Sequence, residues 1–155
     1  MLFTGQYEHT IDAKHRLAIP ADVRAKWKPD RDGPTWFAVP WRAGLIRLYT
    51  ASDFHARSLG RSLTLTPDDD EAELQATLFG LTSEMEMDSV GRVRLPEDML
   101  TMLKMPTEVV LVGAGDRLEI RDRAEWRRTR EERLAQLPEL MARISARKQS
   151  GGARD

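Results

Sequence analysis

An aspartate stands four residues ahead of an arginine in two related stretches of this chain, as Asp12 with Arg16 and as Asp88 with Arg92. Two carboxylates brought together could act as acid and base in a hydrolysis. An aspartate at a turn is ordinarily occupied by nearby backbone N–H groups or by its arginine, which weighs against that use. The arginines offer five donors in a planar fork, suited to phosphate oxygens and to the acceptor edge of guanine. An outward contact with nucleic acid and an inward salt bridge that braces the turn are both open on these residues alone. Other chemistry finds little footing. Gly113-x-Gly115 lacks the third glycine and the following helix of a dinucleotide site and reads as a hairpin turn. There is no P-loop, and His9, His15 and His55 form no HExxH pair. The absence of cysteine excludes disulfides, thiolate zinc sites and a cysteine nucleophile. The expectation is a non-enzyme with no metal, no cofactor and no small-molecule substrate; a small hydrolase using Asp12 or Asp88 is one rival.

The elements that must position these residues recur with them. Thr10-Ile-Asp-Ala-Lys-His-Arg-Leu-Ala-Ile-Pro20 returns as Glu86-Met-Asp-Ser-Val-Gly-Arg-Val-Arg-Leu-Pro96, and one offset of 76 aligns Asp12 with Asp88, Arg16 with Arg92 and Pro20 with Pro96. Apolar and polar residues alternate before each aspartate and resume after each arginine, at Leu17 and Ile19 or Val93 and Leu95, as on half-buried strands. Between them Asp88 and Gly91 have turn chemistry, so a tight hairpin is predicted. Pro20 and Pro96 sit where a helix can begin, with Asp22, Glu97 and Asp98 suited to its positive end. Val23 with Trp27, and Met99 with Leu103, then bury equivalent faces of two short helices.

The repeat extends further. Lys28 to Pro34 reads as a loop, and Trp36–Val39 and Leu45–Tyr49 as strands joined through Arg42-Ala-Gly44. Val109–Val112 and Leu118–Ile120 match them at an offset of 72, pairing Asp53 with Glu125 and Phe54 with Trp126. A helix is predicted over Ser52–Leu59, capped by Ser52 and stopped by Gly60, and another from Thr66 and Pro67 to Gly80, whose first turn accounts for the acidic block Asp68–Glu73. Beyond Asp122 a charged helix is expected, either solvated or facing a partner or DNA. Lys148–Asp155 has too little apolar content to order itself and reads as a loose tail.

At 155 residues, 41% of them hydrophobic, two half-size units can share one core. The start MLFTGQYEHT lacks the features of a signal peptide and no apolar run could span a membrane, which places the protein in the cytosol as an expectation. The formal charge of -1 does not announce a nucleic-acid binder. Its distribution is more telling, since Lys14, Arg16, Arg24, Lys26, Lys28 and Arg31 gather near the first motif.

Taken together, the run Gly5-x-Tyr-x-His-Thr-Ile-Asp-x-Lys-x-Arg-Leu-x-Ile-Pro20, its second copy through Pro96 and the run Gly113-x-x-Asp-Arg-Leu-Glu-Ile120 resemble the MraZ family of bacterial transcriptional regulators, distant relatives of the AbrB-type swapped-hairpin DNA-binding domains. The likeness covers roughly residues 3 to 130. It implies an α+β fold in which two tandem AbrB-like β-hairpin-helix units form a pseudo-twofold double-split β-barrel, followed by a C-terminal helix. The units would be 1–60 and 81–128, joined by a linker helix at 61–80 and followed by a charged helix and disordered tail at 129–155.

The resemblance further implies a repressor of the division and cell-wall gene cluster that binds repeated boxes on double-stranded DNA, associates with the nucleoid and assembles into homo-oligomeric rings, with no membrane partner. Its DNA-binding positions fall on Lys14, His15, Arg16, Arg24 and Arg92, and its turn-forming positions on Asp12, Asp88, Gly91, Pro20 and Pro96. The usual Lys-Gly-Arg is Lys14-His15-Arg16 here, which asks a histidine to take positive φ, reshape the turn or add a phosphate donor. Arg24 has Leu100 as its counterpart, so the first unit is expected to carry more of the DNA contact. An antitoxin-like or protein-binding module of the same superfamily is the alternative.

Overall fold

A computed structural model describes residues 1–59 and 64–152. A compact body spans Met1–Arg123, and a separate helical unit follows from Ala124. The body runs β1 (Gln6–Thr10), β2 (Arg16–Ala18), α1 (Ala21–Lys26), α2 (Pro29–Asp32), β3 (Thr35–Arg42), β4 (Leu45–Thr50), α3 (Ala51–Leu59), α4 (Asp69–Leu81), β5 (Ser83–Glu86), β6 (Arg92–Arg94), α5 (Glu97–Met102), β7 (Glu108–Gly113) and β8 (Leu118–Asp122), and α6 (Arg123–Gly152) closes the chain. The fold is mixed α+β, with every strand pairing antiparallel.

Strand pairing departs from the hairpin that the sequence predicts. A bond from the Asp12 N–H to the Arg16 carbonyl (3.0 Å) closes the turn as a hairpin would, and Asp88 to Arg92 does the same at 2.8 Å. The flanking strands then part company: β1 pairs with β7 and β2 with β6, while β5 pairs with β3. Local alternation marks which face of a strand is buried and is silent about its partner, which explains why this crossing was not legible.

The six-stranded sheet reads β1-β7-β8-β4-β3-β5, and β2 and β6 form a second sheet of two strands. Because β5 repeats β1, β3 matches β7 and β4 matches β8, the order is a palindrome. Its centre is visible in register. Leu17 faces Val93, its own counterpart at offset 76, and Arg47 faces Glu119, its counterpart at offset 72. At a true twofold a residue would face itself, and two identical charges would repel. Here duplication has allowed opposite ones, with Arg47 Nε 3.5 Å from the Glu119 carboxylate. Burial would raise the pKa of Glu119, but Arg121 and Arg117 outweigh it and hold the group below the ordinary carboxylate value.

The core collects the apolar alternates of both copies, among them Leu17, Ile19 and Val23 with Val93, Leu95 and Met99. Trp27 and Leu103 pack against it as partly buried neighbours, so the two short helices present the faces their spacing predicts. Pro20 and Pro96 are the residues just before α1 and α5, one position earlier than the first helical turn. Their fixed φ leads into the helix without needing the N–H that proline lacks.

Several boundaries move. The loop after α1 contains the single turn α2, tied by the buried Asp32 carboxylate, which accepts from Lys28 N–H at 2.9 Å and from Arg31. Thr50 rather than Ser52 supplies the hydroxyl at the start of α3, accepting from Asp53 N–H at 3.3 Å, and Gly60 lies outside the described residues. For α4 the cap is Asp68, which accepts from Glu71 N–H at 2.8 Å. The helix starts two residues beyond Pro67 and continues through Gly80. A carboxylate suits a helix start better than a hydroxyl because it also answers the positive end of the dipole. The helix α6 begins at Arg123 and runs to Gly152, past Lys148 where the loose tail was expected; residues 153–155 lie outside the described residues. Extending an existing helix needs one more bond per residue and no new nucleus, so low apolar content does not stop it.

Candidate nucleic-acid interface

The two turns are built alike. Asp12 Oδ1 accepts from the backbone N–H groups of Lys14 and Arg16, both at 2.9 Å, and Oδ2 accepts from Arg16 Nε at 2.7 Å. Asp88 repeats this with Val90 (3.0 Å), Arg92 (2.9 Å) and Arg92 Nε (2.9 Å). The backbone bond from the arginine, joined by its side-chain bond and charge, holds each aspartate below its ordinary pKa. Each carboxylate is thereby engaged by its own turn. The brace uses only Nε of the guanidinium. The terminal nitrogens of Arg16 and Arg92 make no hydrogen bond among the described residues, and both side chains remain about one third exposed, at 32% and 34%. Bracing and outward donation are compatible, because one fork has N–H groups for both.

The β2 and β6 ribbon then aligns the arginines. Arg16 pairs with Arg94, Leu17 with Val93 and Ala18 with Arg92. Opposed residues share a face and successive ones alternate. With Leu17 and Val93 both at 0% exposure, Arg16, Arg92 and Arg94 must lie together on the opposite face. Arg94 was not among the residues singled out from sequence. The alternation Arg92-Val93-Arg94-Leu95 contained the signal, but its counterpart is Ala18, and a search for positions common to both copies passes over it.

Two reciprocal bonds knit each turn to the other unit: Ile19 N–H donates to Gly91 carbonyl at 2.9 Å and Leu95 N–H to His15 carbonyl at 2.8 Å. Arg24 crosses with them. Its Nε donates to the Ile19 carbonyl at 3.0 Å, and its side chain lies so close to Gly91 that an added Cβ would run into Arg24 Cδ. Arg24 therefore belongs to the first copy by sequence and to the second turn in space. At the other turn the equivalent neighbour is Leu100, which lines an open cleft with His15, Glu97, Thr101 and Lys104. There His15 adopts φ of 63°, the left-handed value that Gly91 takes at 85°. Its Nε2 lies 3.8 Å from a Glu97 carboxylate oxygen. Lys14 contributes its N–H to the turn. Nearby, His9 has its pKa lowered, first by burial and then by Arg123 and Arg24.

No group of three or more histidine or acidic side chains able to hold a metal occurs among the described residues. The arrangement is a ribbon with three arginines on one face, flanked by Arg24 at one turn and by Lys14 and His15 at the other.

Residues 78–147 match the family model described as "MraZ protein, putative antitoxin-like". Three similar relatives each carry the name Transcriptional regulator MraZ. The one from Legionella pneumophila (strain Corby) is 30% identical over 153 residues, covering 93% of this chain and 99% of the relative. That from Hydrogenovibrio crunogenus is 32% identical over 86% of this chain and 88% of its own. In Mycoplasma capricolum subsp. capricolum the figures are 29% identity, 86% and 97%.

Proposed function

The chain belongs to the MraZ family, and from that premise and the paired arginine turns we propose that it is a sequence-specific transcriptional regulator that binds double-stranded DNA. It acts as a homo-oligomer on repeated operator boxes and represses the division and cell-wall gene cluster, in the cytoplasm at the nucleoid. The observation that carries this reading is the direct opposition of Arg16 and Arg94 on the exposed face of the ribbon. Like charges placed opposite one another weaken a ladder, and a polyanion over that face offsets the penalty. A two-stranded ribbon also fits the major groove, where arginine reads guanine through O6 and N7. Lys14, His15 and Arg24 are assigned to phosphates at the edges, where they fix register without reading sequence.

The palindromic strand order supports reading the body as a pseudo-twofold double-split barrel of two AbrB-like units. The engagement of both carboxylates within their turns supports a non-enzymatic role. No described helix is long and apolar enough to cross a membrane.

The test is an electrophoretic shift on DNA from upstream of the protein's own gene against a shuffled duplex, repeated across salt concentrations. The expected result is preference for the native sequence, with affinity falling on a log-log plot by about 0.9 per phosphate contact. Equal, salt-insensitive binding to both duplexes overturns the reading. The antitoxin-like description of the family model favours one alternative, a module that holds a protein partner. It predicts a co-purifying protein and a shorter footprint on DNA.

A further inference from the structure

Two helices of this chain leave apolar stripes exposed, and their charges are opposite. Leu74, Leu78 and Leu81 fall on one side of α4 at helical spacing, with Leu74 49% and Leu81 42% exposed. Phe79, on another side, sits edge-on to Phe54 at 6.3 Å and holds the helix to the body. Asp68, Asp69, Asp70, Glu71 and Glu73 crowd its start, and no lysine or arginine occurs between residues 64 and 91. On α6, Leu134, Leu137, Met141 and Ile144 recur at spacings of three and four and all are exposed, Leu134 at 71% and Met141 at 60%. The same spacing places Arg127 and Arg130 before this seam and Lys148 after it. The helix carries eight basic side chains against four acidic ones.

We propose that the α6 seam of one copy docks on the α4 stripe of the next, a head-to-tail contact. It rests on the homo-oligomer of the proposed function and names the surfaces that build it. Pairing α6 with another α6 would set like charge against like, whereas α4 offers both an apolar stripe of comparable reach and the complementary charge. A contact between two different surfaces repeats from copy to copy and closes into a ring when its rotation permits.

The experiment uses two full-length variants, each checked for wild-type helix content by circular dichroism and then weighed by sedimentation without DNA. One, Leu137→Asp with Met141→Asp, loses the seam; the other, Leu74→Asp with Leu78→Asp, loses the stripe. If the second loses helix, Asp70→Lys with Glu71→Lys takes its place. Wild type is expected to be larger than a dimer and each variant alone a monomer. An equimolar mixture is expected to give a particle of two chains, because one variant still supplies α4 and the other α6. A mixture that stays monomeric overturns the proposal, as does a stripe variant that keeps the wild-type mass. A monomeric wild type overturns the homo-oligomer itself, and because no DNA is present neither result bears on DNA recognition.

Discussion

The turn at Asp12 and the turn at Asp88 hold their arginines with the same carboxylate bonds, yet a histidine occupies the left-handed position in one and a glycine in the other. Backbone geometry is not what separates them, since both residues have φ near the left-handed well. The neighbour supplied by the opposite unit is. Arg24 fills the space beside Gly91, whereas Leu100 occupies the matching place by His15 and leaves an open cleft. A side chain at positive φ costs about 1–2 kcal/mol, which a fold can carry. A Cβ at position 91 would in addition meet the end of the Arg24 side chain, which would have to shift. The lesson is that the turn itself asks for the left-handed backbone, while the partner from the other copy decides what an added Cβ would displace: one copy gives the arginine, the other the room for it.

The largest effect expected bears on whether the two turns share the DNA. Arg16→Ala and Arg92→Ala should each weaken operator binding about 5- to 150-fold, the range of a lost bidentate base contact, in fluorescence anisotropy. Arg24 lies against the second turn, so the crossing predicts comparable losses at the two sites. A loss confined to Arg16→Ala would restore the inequality that the sequence suggests. Next in size is Gly91→Ala, which should destabilise the fold by about 1–2 kcal/mol in urea denaturation and displace Arg24. The matching change, His15→Ala, should leave stability within about 0.5 kcal/mol, because that position already carries a Cβ at positive φ.

A smaller effect would sharpen the comparison. Leu100→Arg with His15→Gly rebuilds the second arrangement at the first turn, and the salt dependence of DNA binding should steepen by about one unit of slope, the signature of an added phosphate contact. An unchanged slope would mean that Arg24 serves the turn and not the DNA. The smallest effect concerns acid. Asp12 and Asp88 are both held below the ordinary value of 3.8, so their folded-state stabilisation is complete above that value and is lost as pH falls through the lowered ones. Both carboxyl groups should keep their carboxylate resonances as pH falls through the ordinary aspartate value and then titrate together below it in NMR. Titration of one well before the other would break the equivalence of the turns.

Much of the local structure was legible beforehand. Asp12, Asp88 and Gly91 announced the turns, and Val23, Trp27, Met99 and Leu103 announced the buried sides of α1 and α5. The offset of 76 survives residue for residue, since α1 starts at Ala21 and α5 at Glu97. What escaped was of another kind. Arg94 was hidden because its importance lies in facing Arg16 across a ladder. Thr50 was missed as a cap because it ends a strand as well as opening a helix.

By itself the sequence determined that there are two copies of one turn, where each lies, and which side of the strands after each turn is apolar. Those properties depend on residues within a few positions of one another, where side-chain and backbone groups meet whatever the rest of the chain does. Only the tertiary structure decided that β1 joins β7, that the arginines of both copies share one face and that Arg24 serves the turn of the other unit. The edge of a strand offers the same N–H and C=O groups to any partner. Which partner it takes is settled by where Leu17, Val93 and the rest of the shared core can all be buried at once.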